Sequence, residues 1–277
     1  MKTTAVLLTV FNRKEKTLEA LQNLFAQQLP NKCALEVYLV DDGCTDGTSE
    51  AVTKTYPQVH IITGSGNLYW NRGMLLAWET AAKAKAYDYY LWLNDDTVLH
   101  PFALSVLLMT AKEFHNEVVV VGSTSALNDE YSITYGGRTL GGRLIQPNNS
   151  AQPCAFFNGN IVLIPKYVFE KVGTNDPVFR HALGDFDYGK RANKLGIQNM
   201  VAPGVLGQCD VHEDLPVWCN PRKPFKKRWK AFHSPLGNNP EEFFVYEKRH
   251  NGLPMACFHY ITNHIRVVCP ILWKYKI

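Results

Sequence analysis

YYLWLNDDT, at positions 89–97, is the segment from which the architecture of this chain can be inferred. Residues 89–93 are aromatic or aliphatic and uncharged, which predicts a buried strand. Two carboxylates follow, and open α/β sheets bind their ligands at the carboxyl ends of strands. Because neighbouring carboxylates repel each other, the pair indicates a nearby cation. The alternative is a helix cap, since Pro101 and the apolar segment behind it predict a helix.

Strand and helix patterns alternate through the first half of the chain. Apolar, β-branched runs predict strands at 4–10, 35–40 and 59–62, and periodic apolar residues predict helices at 14–27, 46–56 and 71–86. Asp46 is the expected N-cap of the second helix. This alternation predicts an α/β fold with a parallel sheet and right-handed crossovers.

The pattern changes after about Val121. Gly136-Gly137 and Gly141-Gly142 punctuate short segments, which predicts an antiparallel hairpin excursion. A strand at 161–164, a short helix opened by Pro165, a helix at 185–195 and strands at 198–201 and 205–211 follow. From Leu215 the composition shifts to Pro, Lys, Arg and aromatic residues. We therefore expect a catalytic domain over 1–214 and a helical extension over 215–277.

The bulk composition is that of a folded globular protein. Of 277 residues, 46% are hydrophobic and 19% charged, and the net charge is only +4. Seven cysteines show neither a CxxC pair nor metal-ligand spacing, and the N-terminus runs directly into a strand pattern. No apolar run is long enough to span a membrane. These features predict a cytoplasmic protein with free thiols, either soluble or on a membrane surface.

Acidic residues occur at three comparable places in the alternating pattern: Asp41-Asp42, Asp95-Asp96, and Asp185 with Asp187. In a parallel sheet the carboxyl ends of the strands share one edge, so these acids are expected to converge on one cleft. A glycine-rich turn at 64–67 belongs to the same pattern. A single acidic pair would be weak support for a cleft, whereas three with a glycine turn are strong support.

Four ordered motifs resemble those of family 2 glycosyltransferases of the GT-A fold, of the bacterial rhamnosyltransferase-like type that serves polysaccharide biosynthesis. The similarity covers about residues 3–212 and implies a Rossmann-like, mostly parallel sheet flanked by helices. The Asp-Asp-Gly-x-Thr-Asp-Gly-Thr motif is specific, whereas an Asp-Asp pair alone is not. The motifs lie at residues 9–13, 40–48, 94–97 and 184–191.

The resemblance implies a nucleoside diphosphate sugar donor. Asp41 matches the aspartate that hydrogen-bonds the base, and Thr9 and Asn12 would line the same pocket. Backbone amides at the start of a helix suit phosphate, to which Arg72 would add charge. Plain turns are the alternatives for residues 41–43 and 64–67. The other expected donor-binding residues are Val10, Arg13, Asp42, Gly66, Asn67, Asn71, Asn94 and Asp95.

The resemblance also implies a divalent cation, Mn²⁺ or Mg²⁺. Asp96 matches the last acid of the Asp-x-Asp metal motif, whose first position here is Asn94. An amide brings no charge, so Asp95 would contribute directly or through water. His212 follows the last expected strand, where related enzymes often supply a further ligand; the alternative is a structural histidine.

Asp185 matches the general base that removes a proton from the acceptor hydroxyl. The usual Glu before it is Gly184 here. A favourable interaction with the helix dipole is the alternative for Asp185, and an i,i+4 ion pair is expected for Asp187 and Arg191. By analogy, the acceptor side of the cleft comprises Asn158, Gly159, Asn160 and Asp187.

The C-terminal segment interleaves basic residues with Phe225, Trp229 and Phe232, which predicts contact with a membrane surface carrying anionic headgroups. Residues 255–277 mix basic and apolar side chains in the same way. A solvated basic face or an oligomer interface, such as that of a homodimer, is the alternative. No recognised nucleic-acid-binding module accompanies the charges, so nucleic acid is not an expected partner.

These features predict an inverting, metal-dependent glycosyltransferase that acts on a lipid-linked glycan in capsule or O-antigen biosynthesis, peripheral on the cytoplasmic face of the inner membrane. A nucleotidyltransferase acting on sugar phosphates is one alternative, but the residues after the first strand, 11–14, lack its Gly-rich basic loop. A catalytically decayed nucleotide-sugar-binding protein is the other, because Asn94 and Gly184 depart from the family pattern.

Overall fold

A computed structural model of the chain describes residues 2–29, 33–211 and 215–274. The chain folds into two compact units. The first contains Met1–Pro177 and Asp185–Val211, and the second contains Val178–Gly184 and His212–Ile277.

The first unit is built on a mixed central sheet with the strand order β3-β2-β1-β4-β11-β6-β12-β5. Strands β3, β2, β1 and β4 are parallel, β11 runs antiparallel to β4 and β6, and β6 is parallel to β12. The strands are β1 (Lys2–Val10), β2 (Cys33–Asp41), β3 (His60–Thr63), β4 (Tyr89–Leu93), β5 (Val98–Leu99), β6 (Val119–Ala126), β7 (Asp129–Tyr135), β8 (Gly137–Arg138), β9 (Gln152–Cys154), β10 (Phe156–Phe157), β11 (Ile161–Pro165) and β12 (Asn199–Gln208).

Helices cover both faces of this sheet, so its central strands are buried on both sides. Along β1, Val6 and Leu8 face one apolar core while Ala5 and Leu7 face the other. The first core takes side chains from α1 (Lys14–Phe25), α2 (Thr48–Thr55) and α4 (Ala103–Glu113). The second takes them from α3 (Tyr69–Ala84), α5 (Lys166–Val172) and α6 (Gly184–Lys194). The predicted α/β class is confirmed.

Two sequence-based expectations about local structure are wrong, and one alternative is excluded. Helix α2 begins at Thr48 with Gly47 at its N-cap, and Asp46 instead accepts hydrogen bonds from the amide and hydroxyl of Thr48. Residues 95 and 96 cap no helix, because β5 intervenes and α4 begins at Ala103. The two strands expected within 198–211 are a single irregular strand, β12.

Strand directions bring distant segments of the chain together at one edge of the sheet. The end of β1 pairs with the end of β2, Val10 opposite Asp41. Because β11 is antiparallel to β4, Ile161 pairs with Leu93. The residues that precede β11 therefore meet the residues that follow β4, and the amide of Asn94 donates to the carbonyl of Asn160 at 3.1 Å. The predicted hairpin excursion is also present, since β7 pairs antiparallel with β6.

The second unit is helical in its described residues. It contains α7 (Phe225–Phe232), α8 (Pro240–Asn251) and α9 (Leu253–Val268), with short 3-10 helices at Val217–Cys219 and Pro270–Lys274. Glu242 of α8 is buried, and its carboxylate accepts a hydrogen bond from Nε of Arg180 at 2.6 Å. This ion pair ties the segment Val178–Gly184 to this unit. Among the described residues, no helix combines the length and apolar character that crossing a membrane requires.

Candidate active site

Asp41, at the end of β2, is held by its own turn. Its Oδ1 accepts the amides of Gly43 and Cys44 at 3.0 and 2.6 Å, and its Oδ2 accepts the hydroxyl of Ser49. Burial raises the pKa of this carboxyl, but these hydrogen bonds more than compensate, so the pKa lies below its usual value. Asp41 is therefore ionised at neutral pH and fixed in orientation.

The neighbouring residues of β1 shape the same corner. Asn12 is exposed, and its Oδ1 accepts the amide of Thr45 at 2.7 Å. Thr9 is nearly buried beneath α3, where Gly73 has no side chain; a Cβ there would lie 2.2 Å from Oγ1 of Thr9. The carbonyl of Val10 accepts the amide of Asp42 at 3.0 Å. Asn12 is thus exposed with its Oδ1 held by Thr45, whereas Thr9 and Val10 are buried.

Asp42 organises the glycine-rich turn. Its Oδ1 accepts the amide of Gly66 at 2.8 Å, and its Oδ2 accepts the amides of Leu68 and Tyr69 at 2.8 and 2.9 Å. Asp42 is buried, whereas Asn67 is exposed beside it. The carboxylate thus fixes the backbone at the start of α3 and leaves Asn67 to face outward.

Asn71 and Arg72, both predicted to bind the donor, make contacts that bridge to a remote segment. The side-chain amide of Asn71 is buried and donates to the carbonyl of Asp176 at 2.8 Å, and Asn175 donates to its Oδ1 at 2.9 Å. Nε of Arg72 donates to the carbonyl of Pro177 at 2.7 Å. Both side chains therefore anchor residues 175–177 to the first turn of α3.

Arg13 lies against the acidic pair that follows β4. Its Nη1 is 2.6 Å from Oδ2 of Asp96 and 3.3 Å from Oδ1 of Asp95. Asp95 is buried, which raises its pKa to about 7 although Arg13 opposes the shift. The two carboxyl groups therefore converge on the guanidinium of Arg13. This arrangement stabilises a positive charge at that point.

The residues at this point fit a divalent cation. Carboxylate oxygens suit Mg²⁺ and Mn²⁺, which commonly take one or two protein carboxylates and complete their shell with substrate phosphates and water. Across residues 2–29, 33–211 and 215–274 there is no group of three or more His, Cys, Asp or Glu residues able to hold a metal. His212, the predicted additional ligand, lies outside the described residues. Among the described residues, the carboxylate oxygens at this point are those of Asp96 and Asp95.

Trp70 connects the two sides of the site. Its Nε1 donates to Oδ1 of Asn94 at 2.7 Å, so the amide oxygen of Asn94 is already engaged. The same indole packs over Gly159, where a Cβ would lie 2.5 Å from the ring. The amide of Gly159 in turn donates to Oδ2 of Asp185 at 2.9 Å. One aromatic side chain thus links the segment after β4 to the predicted base.

Asp185 occupies the first turn of α6 and is partly buried. Its Oδ1 accepts the amide of Phe186 at 2.8 Å, so both oxygens are oriented by backbone donors. Burial raises the pKa of Asp185 to about 6, although these amides and the charge of Arg138 oppose the shift. A carboxylate with this pKa can accept a proton near neutral pH, as a general base must.

Arg138 is a residue that we did not select from the sequence. Its Nε donates to Oδ1 of Asn158 at 2.9 Å, and its guanidinium lies 5.8 Å from the ring centre of Phe186. It therefore places a positive charge near Asp185 and orders the amide of Asn158, one of the residues predicted to contact the acceptor. Trp70 was missed in the same way. Neither carries a local signal for this role, because the contacts with Asn158 and Asn94 join residues at least 20 positions apart.

Two predicted acceptor-side residues have internal contacts. Asn160 is buried and its amide nitrogen is 3.5 Å from Sγ of Cys209. Asp187 is buried and pairs with Nε of Arg191 at 2.8 Å, which confirms the predicted i,i+4 ion pair. Nη1 and Nη2 of Arg191 donate to the carbonyls of Val172 and Thr174. This pair therefore fixes α6 on the turn that follows α5.

Left-handed backbone conformations occur beside the site. Asn12, Tyr69 and Leu183 have φ values of 51°, 58° and 71°. Asn tolerates this conformation, but Tyr and Leu adopt it only where the surroundings enforce it. Tyr69 begins α3 beside Asp42, and Leu183 precedes Asp185 by two residues. Strained backbone thus adjoins the donor-side turn and the predicted base.

Comparison with known proteins agrees with this geometry. The family model of Glycosyl transferase family 2 matches residues 5–173, more than half of the chain. Two Mycobacterium tuberculosis proteins, from strains CDC 1551 / Oshkosh and ATCC 25618 / H37Rv, are 24% identical over 210 residues, which cover 66% of this chain and 68% of theirs. Both relatives are named N-acetylglucosaminyl-diphospho-decaprenol L-rhamnosyltransferase.

Solved structures show the same fold. S. aureus TarS superimposes with a TM-score of 0.55 and 16% identity over 90% of this chain, which spans only 43% of that TarS chain. A TarS structure of residues 1–349 gives a TM-score of 0.55 and 15% identity, covering 97% of this chain and 81% of the other. From its motifs, its fold and the family match, the chain belongs to glycosyl transferase family 2 and has the GT-A fold.

Proposed function

We propose that this protein transfers a sugar from a nucleoside diphosphate sugar to a hydroxyl of a lipid-linked glycan, with inversion at the anomeric carbon. The observation that carries the proposal is the placement of Asp185 beside Gly159 and Trp70, which connect it to the acidic pair after β4. On this edge of the sheet, Asp185 would activate the acceptor hydroxyl, and the acidic pair would hold the cation that stabilises the leaving diphosphate. The names of the M. tuberculosis relatives, which specify a diphospho-decaprenol, support a lipid-linked acceptor.

In this proposal the carboxylate of Asp185 removes the proton of the acceptor hydroxyl. The hydroxyl oxygen forms a bond to the anomeric carbon, and the bond from that carbon to the diphosphate oxygen breaks, leaving the electron pair on the diphosphate. Attack opposite the leaving group inverts the configuration. Backbone amides hold both oxygens of Asp185, so the base needs no reorientation during the step.

Asp96 and Asp95 would hold Mn²⁺ or Mg²⁺, which supplies charge neutralisation for the departing diphosphate. Asp41 and Asn12 would receive the nucleoside, because both present oriented polar atoms at the end of β1 and β2. Arg138 and Asn158 would contact the acceptor. We leave Asp187, Asn71 and Arg72 out of the direct ligand contacts, because their polar atoms hold the protein together.

Donor hydrolysis in the absence of acceptor tests the proposal. UDP-, GDP- and dTDP-sugars should first be screened for thermal stabilisation with and without Mn²⁺, because a ligand that binds only the folded state raises apparent stability. The donor that binds should then release nucleoside diphosphate slowly with Mn²⁺, and Asp96→Ala should abolish the release. Glu113→Gln, an exposed carboxylate of α4, is the matched control and should leave it unchanged.

The outcomes separate the alternatives. Binding without hydrolysis, and without transfer to any acceptor extract, would identify a nucleotide-sugar-binding protein. Release of pyrophosphate from a nucleoside triphosphate and a sugar phosphate would identify a nucleotidyltransferase. If no nucleoside diphosphate sugar binds or is hydrolysed, the proposal fails.

A further inference from the structure

The outward face of α9 is apolar along its whole length. Met255, Phe258, Ile261, Ile265 and Val268 recur every three or four residues and each exposes between 42% and 59% of its surface. This spacing places them on one stripe of the helix. A contiguous apolar stripe on a folded protein marks an interaction surface, whereas isolated exposed apolar residues do not.

The inward face of the same helix mixes apolar and polar residues, because Ala256 and Val267 are buried together with Asn263. Nδ1 of His259 lies 3.1 Å from Glu247, and the ring of His264 lies 5.7 Å from that of Trp229. A surface helix normally keeps its polar residues outward, whereas the outward stripe here is apolar. The outward stripe of α9 therefore requires an apolar environment that the described part of this unit does not provide.

Helix α7 places basic residues next to this stripe. Buried Arg228 donates to the carbonyls of Val267 and Val268 at 3.1 and 3.2 Å, which fixes α7 to the end of α9. The exposed residues of α7 include Lys226, Lys227 and Lys230. Phe225 and Trp229, one helical turn apart, expose 46% and 38% of their surface among these lysines.

Charge indicates what covers the stripe. Residues 215–274 contain ten Lys and Arg residues but only three acids, although the whole chain has 29 basic and 25 acidic residues. The positive charge of the protein is therefore concentrated in this unit. A second copy docked through the same face would bring two such surfaces together, and like charges repel. A surface of anionic phosphates would instead attract it.

We propose that the outer stripe of α9, with Phe225 and Trp229 of α7, lies in the boundary between headgroups and acyl chains of an anionic lipid bilayer. The lysines of α7 then meet the lipid phosphates. The 16 residues of α9 span about 24 Å, less than the roughly 30 Å of a bilayer core, so the helix lies along the surface. The proposed lipid-linked acceptor gives a reason for the protein to bind a membrane. The binding itself can be tested separately, because it needs neither donor nor acceptor.

The test is flotation of the full chain with vesicles of phosphatidylcholine alone or with 30% phosphatidylglycerol. The wild-type protein should float with the anionic vesicles only. Ile261→Ser with Ile265→Ser should reduce the partition at least tenfold. Lys226→Gln with Lys227→Gln and Lys230→Gln should reduce it by on the order of a hundredfold, since each basic residue near an anionic surface contributes about fivefold.

Matched controls change the same chemistry elsewhere. Met109→Ser with Leu140→Ser removes two exposed apolar side chains of the first unit, and Lys54→Gln with Lys83→Gln and Lys112→Gln removes three exposed charges. Both controls should float like the wild-type protein. Thermal stabilisation by the donor in solution should be equal in all variants, so a failure of vesicle binding is distinguishable from a failure of the proposed reaction.

Two outcomes would overturn the inference. One is that the protein does not float with anionic vesicles, or floats regardless of the Ile261 and Ile265 substitutions. The other is a dimer by sedimentation velocity that the same substitutions convert to a monomer while vesicles remain unbound, which would assign the stripe to a second copy of the chain.

Discussion

Nη1 of Arg13 lies 2.6 Å from Oδ2 of Asp96, so a side chain neutralises the acid that we expect to bind the metal. Oδ2 of Asp96 cannot serve the arginine and a divalent cation equally, and a cation on Oδ1 would lie beside a second positive charge. We therefore expect Arg13 and the cation to compete for this carboxylate.

We predict that Arg13→Gln raises the affinity for Mn²⁺ in the absence of donor by about tenfold, because a charge-assisted hydrogen bond no longer has to be broken. Isothermal titration calorimetry or Mn²⁺ electron paramagnetic resonance measures this directly. Lys54→Gln removes an exposed charge from α2 and should have little effect. An unchanged or weaker Mn²⁺ affinity in Arg13→Gln would show that the two cations do not compete.

Replacing Asp185 should abolish the chemical step while leaving donor binding intact. General base catalysis contributes about 10² to 10⁴ in rate, so Asp185→Asn should lower kcat by that amount. In the wild-type protein kcat should rise with pH through about 6, as the carboxyl loses its proton. The measurement is the pH profile of transfer or donor hydrolysis, and Glu113→Gln should retain the wild-type profile.

The same carboxyl should make stability depend on pH. Its pKa is raised from 3.8 to about 6 in the folded protein, so the folded state holds the proton more tightly than the unfolded state. This contribution is fully present below pH 4 and is lost as the pH rises through 6. Relative to the wild-type protein, Asp185→Asn should therefore gain about 1–3 kcal/mol between pH 4 and pH 7. Urea unfolding of both proteins across this range decides the matter, and a constant difference would contradict the raised pKa.

Asp42 should matter for stability, unlike an exposed aspartate. Asp42→Asn leaves one acceptor oxygen where the buried carboxylate now receives three backbone amides, and the expected loss is about 2–4 kcal/mol. Asp129→Asn is the control, because Asp129 is exposed and accepts the amide of Tyr131. The free energy of unfolding from urea titration gives both values. Equal losses would show that the glycine-rich turn holds without its carboxylate.

Gly159 should not tolerate a methyl group. In Gly159→Ala the new Cβ would overlap the ring of Trp70, and overpacking of this kind costs about 1–3 kcal/mol. The shift should also disturb the hydrogen bond to Asp185 and lower kcat. Gly141→Ala is the matched control, since no atom lies within 4 Å of a Cβ at that position. Unfolding and turnover measured on both variants would reveal whether Trp70 is as rigid as its contacts indicate.

The alternating core of the fold was predictable because each central strand is an unbroken apolar run. Short apolar runs such as residues 4–10 and 89–93 are typical of buried strands, and the structure has strands over these residues. The start of α2 was not predictable in the same way. Gly47, at a φ of 80°, is the N-cap of that helix, and nothing in the local sequence distinguishes it from Asp46 as the cap. The suspected cap at 95–96 failed because β5 separates it from α4.

Within the candidate site, the sequence indicated which residue types matter but not their partners. Asp185 and the acidic pair follow strands or begin helices, so their positions could be inferred from the pattern. The anchoring of Asn71 to Asp176 joins residues 105 positions apart, and no local pattern reports it. The same holds for the contact of Arg13 with Asp96, across 83 positions. Such contacts follow from the sheet order, which the sequence leaves open.

The antiparallel insertion of β11 between β4 and β6 has a consequence for how this enzyme could be diversified. Between β6 and β11 the chain adds β7 and β9 to the same sheet and then reaches Asn158, where Gly159 meets Asp185 and the amide of Asn94 donates to the carbonyl of Asn160. The pairing of β11 with β4 fixes this return point, and the exposed turn at Leu140 and Gly141 lies outside it. That turn can therefore change in length while Asp185 keeps its register, which makes it the part of the segment best suited to exchange between relatives.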